Sequence, residues 1–274
     1  MTLSVVLSVY AREKPVYLEQ ALESIWDKQT LKPSEVVLVE DGALTPGLYN
    51  LIDSWKNKLQ NNLLIVKLSE NKGLASALNA GIKHSSGDYI ARMDTDDISL
   101  PARFEKQVAF FQNNPDVDIL GTWAHDIDAE GNKLSLRKVP ATHQKIMKYI
   151  WTCPLIHPSV MFKKQALLDV GLYNESIARR QDYELWFRCA AAGLQFANIP
   201  EPLLLYRFTE AWFEKNNASV LWQQAKMGWR GCRMLKLGPV AYIGTAFPLL
   251  KILLPKKAGM KVAALFKRVD PRNR

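Results

Sequence analysis

Over the first half of the chain, apolar β-branched runs alternate with segments of helical periodicity, and no other feature restricts the fold as tightly. The strand-like runs are LSVVLSVY, EVVLVEDG, LLIVKL and GDYIARMD. Between them, PVYLEQALESIWDKQ places Leu18, Leu22, Ile25 and Trp26 at helical spacing behind Pro15. GLYNLIDSWKNKL and GLASALNAGIKHS read as two further helices. A strand that is apolar throughout is buried on both faces. Such strands, joined through helices by short connections, imply an α/β fold built on a mostly parallel sheet with helices on both sides. In sheets of this kind ligands bind beyond the carboxyl ends of the strands.

Polar residues collect at those ends. Ser8 and Tyr10 close the first run, Asp41 follows the second, and Asp94, Asp96 and Asp97 follow the fourth within ARMDTDDISLP. Asp41 alone reads as a turn former. Three acids in four positions exceed what a turn needs, and at about 4 Å with an effective dielectric near 20 each pair repels by roughly 4 kcal/mol. A hard divalent cation, Mg²⁺ or Mn²⁺, offsets that repulsion and commonly brings a substrate diphosphate with it. GxxxxGK[ST] does not occur, nor does GxGxxG after the first strand. The pattern therefore suits a nucleotide held by acids and metal, and leaves glycosyl transfer and nucleotidyl transfer as the natural reaction classes.

After Pro101, the helix ARFEKQVAFFQNN, the strand VDILGTW and a hairpin turn at DIDAEGNKL continue the order. From about Thr142 the pattern is less regular, with a helix near HQKIMKYIW, a strand near HPSVMFKK, a helix from Tyr183, a closing strand in EPLLLYRF, and a long helix in WFEKNNASVLWQQAKMGWRGCRML. The aromatic stretch YELWF reads as core packing, with Trp186 open to either a core or a sugar-facing role. His157, set in an apolar run before a proline, reads as a satisfied, partly buried histidine. Arg179, Arg180 and Arg207 either bind phosphate or form solvated surface pairs.

Several of these segments, in order, resemble the family 2 glycosyltransferases of the GT-A fold. The resemblance runs over roughly residues 3–208 and is carried by VVLSVYAREKP, EVVLVEDG, NKGLASALNAGIKHSSGDYIARMDTDDISLPARFEKQ, IHPSVMFKK, VGLYNE, QDYELWFRCAAAG and EPLLLYR. It implies that Tyr10 and Asp41 contact the uracil base, with Ser8 beside the nucleotide. Asp94 and Asp96 form the DXD pair facing ribose and metal, and Asp97 is a further metal ligand. Asp182 occupies the position of the family's general base, with Gln181 where the family often has Glu; the rival reading of Asp182 is a helix N-cap. The donor implied is a UDP-sugar, UDP-galactose or UDP-glucose first, and the acceptor a saccharide on undecaprenyl diphosphate in O-antigen or capsule assembly. A nucleotidyltransferase of related fold lacks its usual basic Gly-rich signature in SVYAREKP, and a non-enzymatic scaffold would not need all four acids.

The charge is unevenly placed. From Val220 onward twelve Lys or Arg face one acid, Asp270, a net of +11, so the first 219 residues carry −2 of the total +9. Basicity confined to the tail argues against nucleic acid as a partner. Residues 237–250 are 14 uncharged residues with two prolines, shorter than the roughly 20 that span a bilayer. The following KKAGMKVAALFKRV is basic and amphipathic, which suits an interfacial element or a helix packed back on the domain. The expected organisation is a glycosyltransferase domain over 1–210, with a nucleotide-binding half to about 122 and an acceptor-side half over 123–210, followed by a membrane-associating segment over 211–274. The protein would then sit peripherally on the cytoplasmic face of a bacterial inner membrane. The opening residues carry no basic n-region, and the three dispersed cysteines suit a reducing compartment.

Overall fold

The computed structural model describes residues 1–208 and 218–253. One sheet organises them. Its strands are β1 (Leu3–Val9), β2 (Glu35–Asp41), β3 (Leu63–Leu68), β4 (Tyr89–Arg92), β5 (Ile98–Ser99), β6 (Ile119–Ile127), β7 (Lys133–Arg137), β8 (Met161–Lys163) and β9 (Phe196–Arg207), in the order β3-β2-β1-β4-β8-β6-β9-β5 with β7 paired to β6. The first four are mutually parallel, as the alternation requires. Beyond β4 the sheet is mixed: β8 is antiparallel to β4 and β6, while β9 is parallel to β6 and antiparallel to β5. The sheet is thus less parallel than expected, because β8 follows a 3₁₀ turn at His157–Ser159 and enters against its neighbours. The boundary expected near residue 122 falls inside β6, so the two halves share one sheet.

The period-two alternation of each strand sorts side chains onto two faces. Leu3, Val5, Leu7 and Val9 of β1 pack with α1 (Pro15–Ile25), α2 (Pro46–Leu59) and α4 (Arg103–Asn113), through Leu18, Leu22, Ile52, Trp55, Phe104 and Phe111. Val6, between them, faces α3 (Leu74–His84). That second layer also holds α5 (His143–Lys148), α6 (Lys164–Asp169) and α7 (Gln181–Ala191). Trp186 is fully buried there, so YELWF is core and Trp186 has no sugar-facing role.

The expected hairpin after β6 forms, with Asp128 Oδ1 accepting the N–H groups of Glu130 and Asn132 at 3.0 and 2.8 Å. The closing strand begins earlier than EPLLLYRF suggests. Phe196–Ile199 already pair with β6, and a bulge opposite Thr122–Trp123 carries β9 past two prolines.

The C-terminal helices are α8 (Ala218–Met234) and α9 (Pro239–Leu253). The apolar stretch over 237–250 is therefore helical from Pro239 onward. It packs on α8 and on the 3₁₀ turn Ile150–Thr152, where Gly244 lies so close to the Trp151 ring that a Cβ would come within 2.1 Å of it. Gly231 of α8 meets the Phe187 ring of α7 in the same way, at 2.3 Å. Among the described residues no helix is long and apolar enough to cross a membrane. The amphipathic stretch over 256–269, the start of the expected long helix and the domain boundary near 210 lie outside the described residues.

His157 is the buried histidine the sequence suggests. Its Nε2 lies 2.7 Å from the Tyr173 hydroxyl and its ring stands edge-on to Trp186. Burial, and then the nearby Arg92 cation, hold its pKa well below the ordinary imidazole value. The unfolded chain protonates His157 near pH 6.5 whereas the folded chain resists, so its contribution is complete above about pH 6.5 and falls away as the pH drops toward the lower folded value. Denaturant midpoints should decline from about pH 7 to pH 5, and His157→Gln, compared over the same range, should remove part of that decline.

Candidate active site

Parallel pairing carries the ends of β1, β2 and β4 to one rim. β4 stops at Arg92 opposite Val6, and the Met93 N–H still donates to Val6 O at 3.1 Å, so the acids that follow stand beside the chain leaving β1. Tyr10 is there: burial first, then Glu13, raise its hydroxyl pKa, and the Asp96 charge adds to the rise while Arg12 opposes it. Ser8, half-buried, pairs across to Val39 of β2.

Asp94, Asp96 and Asp97 each place a carboxylate oxygen within 4.8 Å of the others. Their crowding is held by three devices. Arg92, only 2% exposed, pairs through Nη2 with Asp94 Oδ1. Asp97 Oδ1 accepts the backbone N–H of Arg207 at 2.7 Å. The Arg207 guanidinium then locks the loop itself: Nε donates to Asp96 O at 2.7 Å, Nη1 to the carbonyls of Asp128 and Ala129 at 3.0 and 2.8 Å, and Nη2 to Gln20 Oε1 at 2.8 Å. Arg207 is therefore neither a phosphate ligand nor a surface pair. It is buried, with its donors directed to the acid loop, the hairpin and Gln20, and its Cζ lies 4.3 Å from the Tyr17 ring centroid.

Asp97 is 1% exposed, and its Oδ2 has no hydrogen-bond partner among the described residues. Burial, followed by the charges of Asp96 and Asp94, pushes its pKa well above the usual carboxylate range. An all-oxygen donor set with an orphaned buried carboxylate oxygen fits a hard divalent cation such as Mg²⁺ or Mn²⁺. Asp96 and Asp97 are the natural holders, because Asp94 already has Arg92.

Asp41 is differently employed. Its Oδ1 accepts the N–H of Lys72 at 2.7 Å and its Oδ2 that of Gly73 at 3.0 Å, while the Asn71 side chain reaches its carbonyl at 3.2 Å. The carboxylate pins the loop that leads into α3 to the end of β2.

Asp182 lies in the first turn of α7, whose N-cap is Arg180 in a left-handed conformation, φ 64°. The N-cap reading of Asp182 is therefore replaced: it is the second residue of the helix and half-buried, and its Oδ2 accepts the Cys153 S–H at 3.7 Å. Tyr173 feels the charges of both Asp182 and Asp94. Burial raises its hydroxyl pKa, Arg92 pulls it back, and the charges of Asp182 and Asp94 both add to the rise. Asp94 of the rim and the α7 carboxylate thus act on one side chain. Arg179 and Arg180 precede that carboxylate, with Gln181 between.

Three residues escaped the sequence reading. Arg92 left a trace, a lone base inside an apolar strand next to three acids. Cys153 and Tyr173 left none, because their relation to Asp182 depends on a 3₁₀ turn and a loop that meet α7 only in the folded chain.

The profile of Glycosyl transferase family 2 matches residues 4–171. The chain belongs to this family. Among similar proteins, this family 2 glycosyltransferase is 39% identical over 205 residues to the amylovoran biosynthesis glycosyltransferase AmsE of Erwinia amylovora, covering 74% of this chain and 75% of that one. It is 37% identical over 209 residues to the UDP-Gal:alpha-D-GlcNAc-diphosphoundecaprenol beta-1,3-galactosyltransferase of Escherichia coli, covering 76% of this chain and 74% of that one. The crystal structure of S. aureus TarS 1-349 in complex with UDP-GlcNAc superposes with a TM-score of 0.68 at 18% identity, over 92% of this chain and 72% of that one. The fold of this family 2 glycosyltransferase is accordingly GT-A, as its motifs imply.

Arg92 supplies the buried positive charge that a bound cation would otherwise provide. Arg92→Met should lower the melting temperature of the metal-free protein, by about 2–4 kcal/mol of stability given that Asp94 is partly exposed. Added Mn²⁺ should raise the melting temperature more in the variant than in the wild type; an equal rise in thermal-shift measurements would count against this role.

Proposed function

We propose that this glycosyltransferase moves a hexose with inversion from a UDP-sugar to a lipid-linked saccharide during polysaccharide assembly, with Asp182 as the base. One observation carries the reading: the charges of Asp182 and of Asp94, the first acid of the triplet, both raise the pKa of the buried Tyr173 hydroxyl. The α7 carboxylate and the first rim acid are then both close to one buried tyrosine. Inversion at a sugar carbon needs the acceptor hydroxyl deprotonated on the face opposite the leaving nucleotide, and Asp182 stands apart from the rim acids on a separate element.

In this reading Tyr10 and Ser8 line the nucleotide next to β1, and Asp94 and Asp96 face its ribose and phosphates. Asp41 serves base recognition by holding the loop over 71–73 at the rim, since its own oxygens are engaged. A divalent cation, Mn²⁺ or Mg²⁺, bound by Asp96 and Asp97 would neutralise the departing diphosphate. Asp182 takes the proton from the acceptor hydroxyl. The Cys153 S–H donated to its Oδ2 fixes the carboxylate's rotation.

The names of the similar enzymes support the substrate class. The E. coli relative is named for UDP-Gal and a GlcNAc-diphosphoundecaprenol acceptor, and the E. amylovora relative for amylovoran biosynthesis. UDP-galactose and UDP-glucose are the donors to try first. A lipid acceptor places the enzyme peripherally on the cytoplasmic face of a bacterial inner membrane, with residues 1–210 as the catalytic domain and 211–274 as the membrane-associating segment.

The test is a donor panel with lipid-diphosphate acceptors, run on wild type and Asp182→Asn. The variant should bind UDP with Mn²⁺ as the wild type does in calorimetry, and lose transfer by about 10²–10⁴-fold. Full turnover in the variant would remove the proposed base; absence of UDP binding in the wild type would remove the enzymatic reading.

A further inference from the structure

The helix α8 carries a surface that neither the rim nor α7 uses. Lys226, Arg230 and Arg233 are exposed and spaced four and three residues apart, which aligns them along one face of the helix. With Trp229 of α8 and Tyr242 of α9 they line a cleft of about 420 Å³. The Trp229 indole N–H donates to Tyr242 O at 3.2 Å, and its ring meets that of Trp222 edge-on at 5.8 Å. Lys226 Nζ lies 5.2 Å from the Trp222 ring centroid. Trp222 itself is 44% exposed, and on α9 the neighbours of Tyr242 include Val240 and Ile243, 71% and 70% exposed.

The charge balance is one-sided. Residues 218–253 contain five Lys or Arg and no Asp or Glu. Among the described residues Lys226, Arg230 and Arg233 form no ion pair with a carboxylate. Isolated cations framing an aromatic-walled cleft are complementary to phosphate, and half-exposed tryptophan and aliphatic side chains beside them suit the boundary between headgroups and acyl chains. A soluble phosphate would make no use of that apolar fringe.

We propose that the cleft between α8 and α9 is a docking site for the phosphate headgroups of an anionic bilayer. The proposal rests on the reading above that the acceptor is lipid-linked, and it assigns docking to α8, apart from the basic stretch at 256–269. The opposite side of the same helix explains how docking would orient the enzyme. Gly231 seats the Phe187 ring, Gly228 lies against Thr245 and the Tyr183 hydroxyl, and that hydroxyl donates to Trp151 O at 2.7 Å. The surface facing the bilayer is thus packed directly on the helix that bears Asp182.

The experiment compares full-length wild type with the triple variant K226Q/R230Q/R233Q in sedimentation with phosphatidylcholine vesicles, with and without phosphatidylglycerol. The wild type should bind only the anionic vesicles, more weakly as salt is raised. The triple variant should bind them on the order of 100-fold more weakly, at about fivefold per charge. Calorimetry with UDP and Mn²⁺, unchanged between the two, verifies that the variant is folded and keeps this test separate from that of Asp182. Undiminished vesicle binding by the variant overturns the proposal. So does wild-type binding of inorganic pyrophosphate in metal-free solution that is as tight as binding to vesicles and is lost in the triple variant, since that would make the cleft a small-anion site.

Discussion

Three carboxylates held within 4.8 Å of one another are an electrostatic load, and the surrounding structure is arranged to carry it. The load is shared by a buried cation on β4, a backbone amide at the end of β9, and a guanidinium that ties the acid loop to the β6–β7 hairpin and to α1. Arg92 is local to the loop, whereas the supports from Arg207 come from a distant part of the chain. The acid loop therefore takes its shape only when β9 has paired beside β6 and β5 has paired with β9. In the metal-free protein Arg92 is the compensating charge, and Asp97 responds to what repulsion remains by holding its proton more tightly.

The second consequence of the sheet is where it puts the α7 carboxylate. α7 belongs to the layer of α3, α5 and α6, and His157, Tyr173 and Trp186 fill the space between that layer and the end of β4. Tyr173 is the bridge, buried and bonded to His157 on one side and within the fields of Asp94 and Asp182 on the other. The α7 carboxylate and the acid rim can be kept apart yet rigidly related because the wedge between them is packed core.

The C-terminal helices belong to this same construction. Glycines at 231 and 244 admit aromatic rings from α7 and from the turn carrying Trp151, so α8 is inlaid against the helix that bears Asp182 and α9 against that turn. A segment that reads in the sequence as an apolar, membrane-seeking stretch is in part a packing surface, and the charged cleft on its outer side is what remains for a partner.

The alternation of β-branched runs with helical repeats determined the parallel half of the sheet, its two helical layers and the gathering of Ser8, Tyr10, Asp41 and the triplet at one rim, because strand and helix periods are local properties of the chain. The mixed half was not legible in the same way: β8 has three residues and β5 two, too few for a period to register, and their direction follows from pairing partners far along the chain. The same limit applies to individual roles. Arg207 and Asp41 carry charges that could meet a ligand, and which they meet was decided by tertiary contacts, the carbonyls of a distant hairpin for one and the amides before α3 for the other. Residue type alone supplied the chemistry available at the rim; close packing decided which polar groups were spent inside the fold and which were left to act, since a buried donor or acceptor must be satisfied before it can serve anything else.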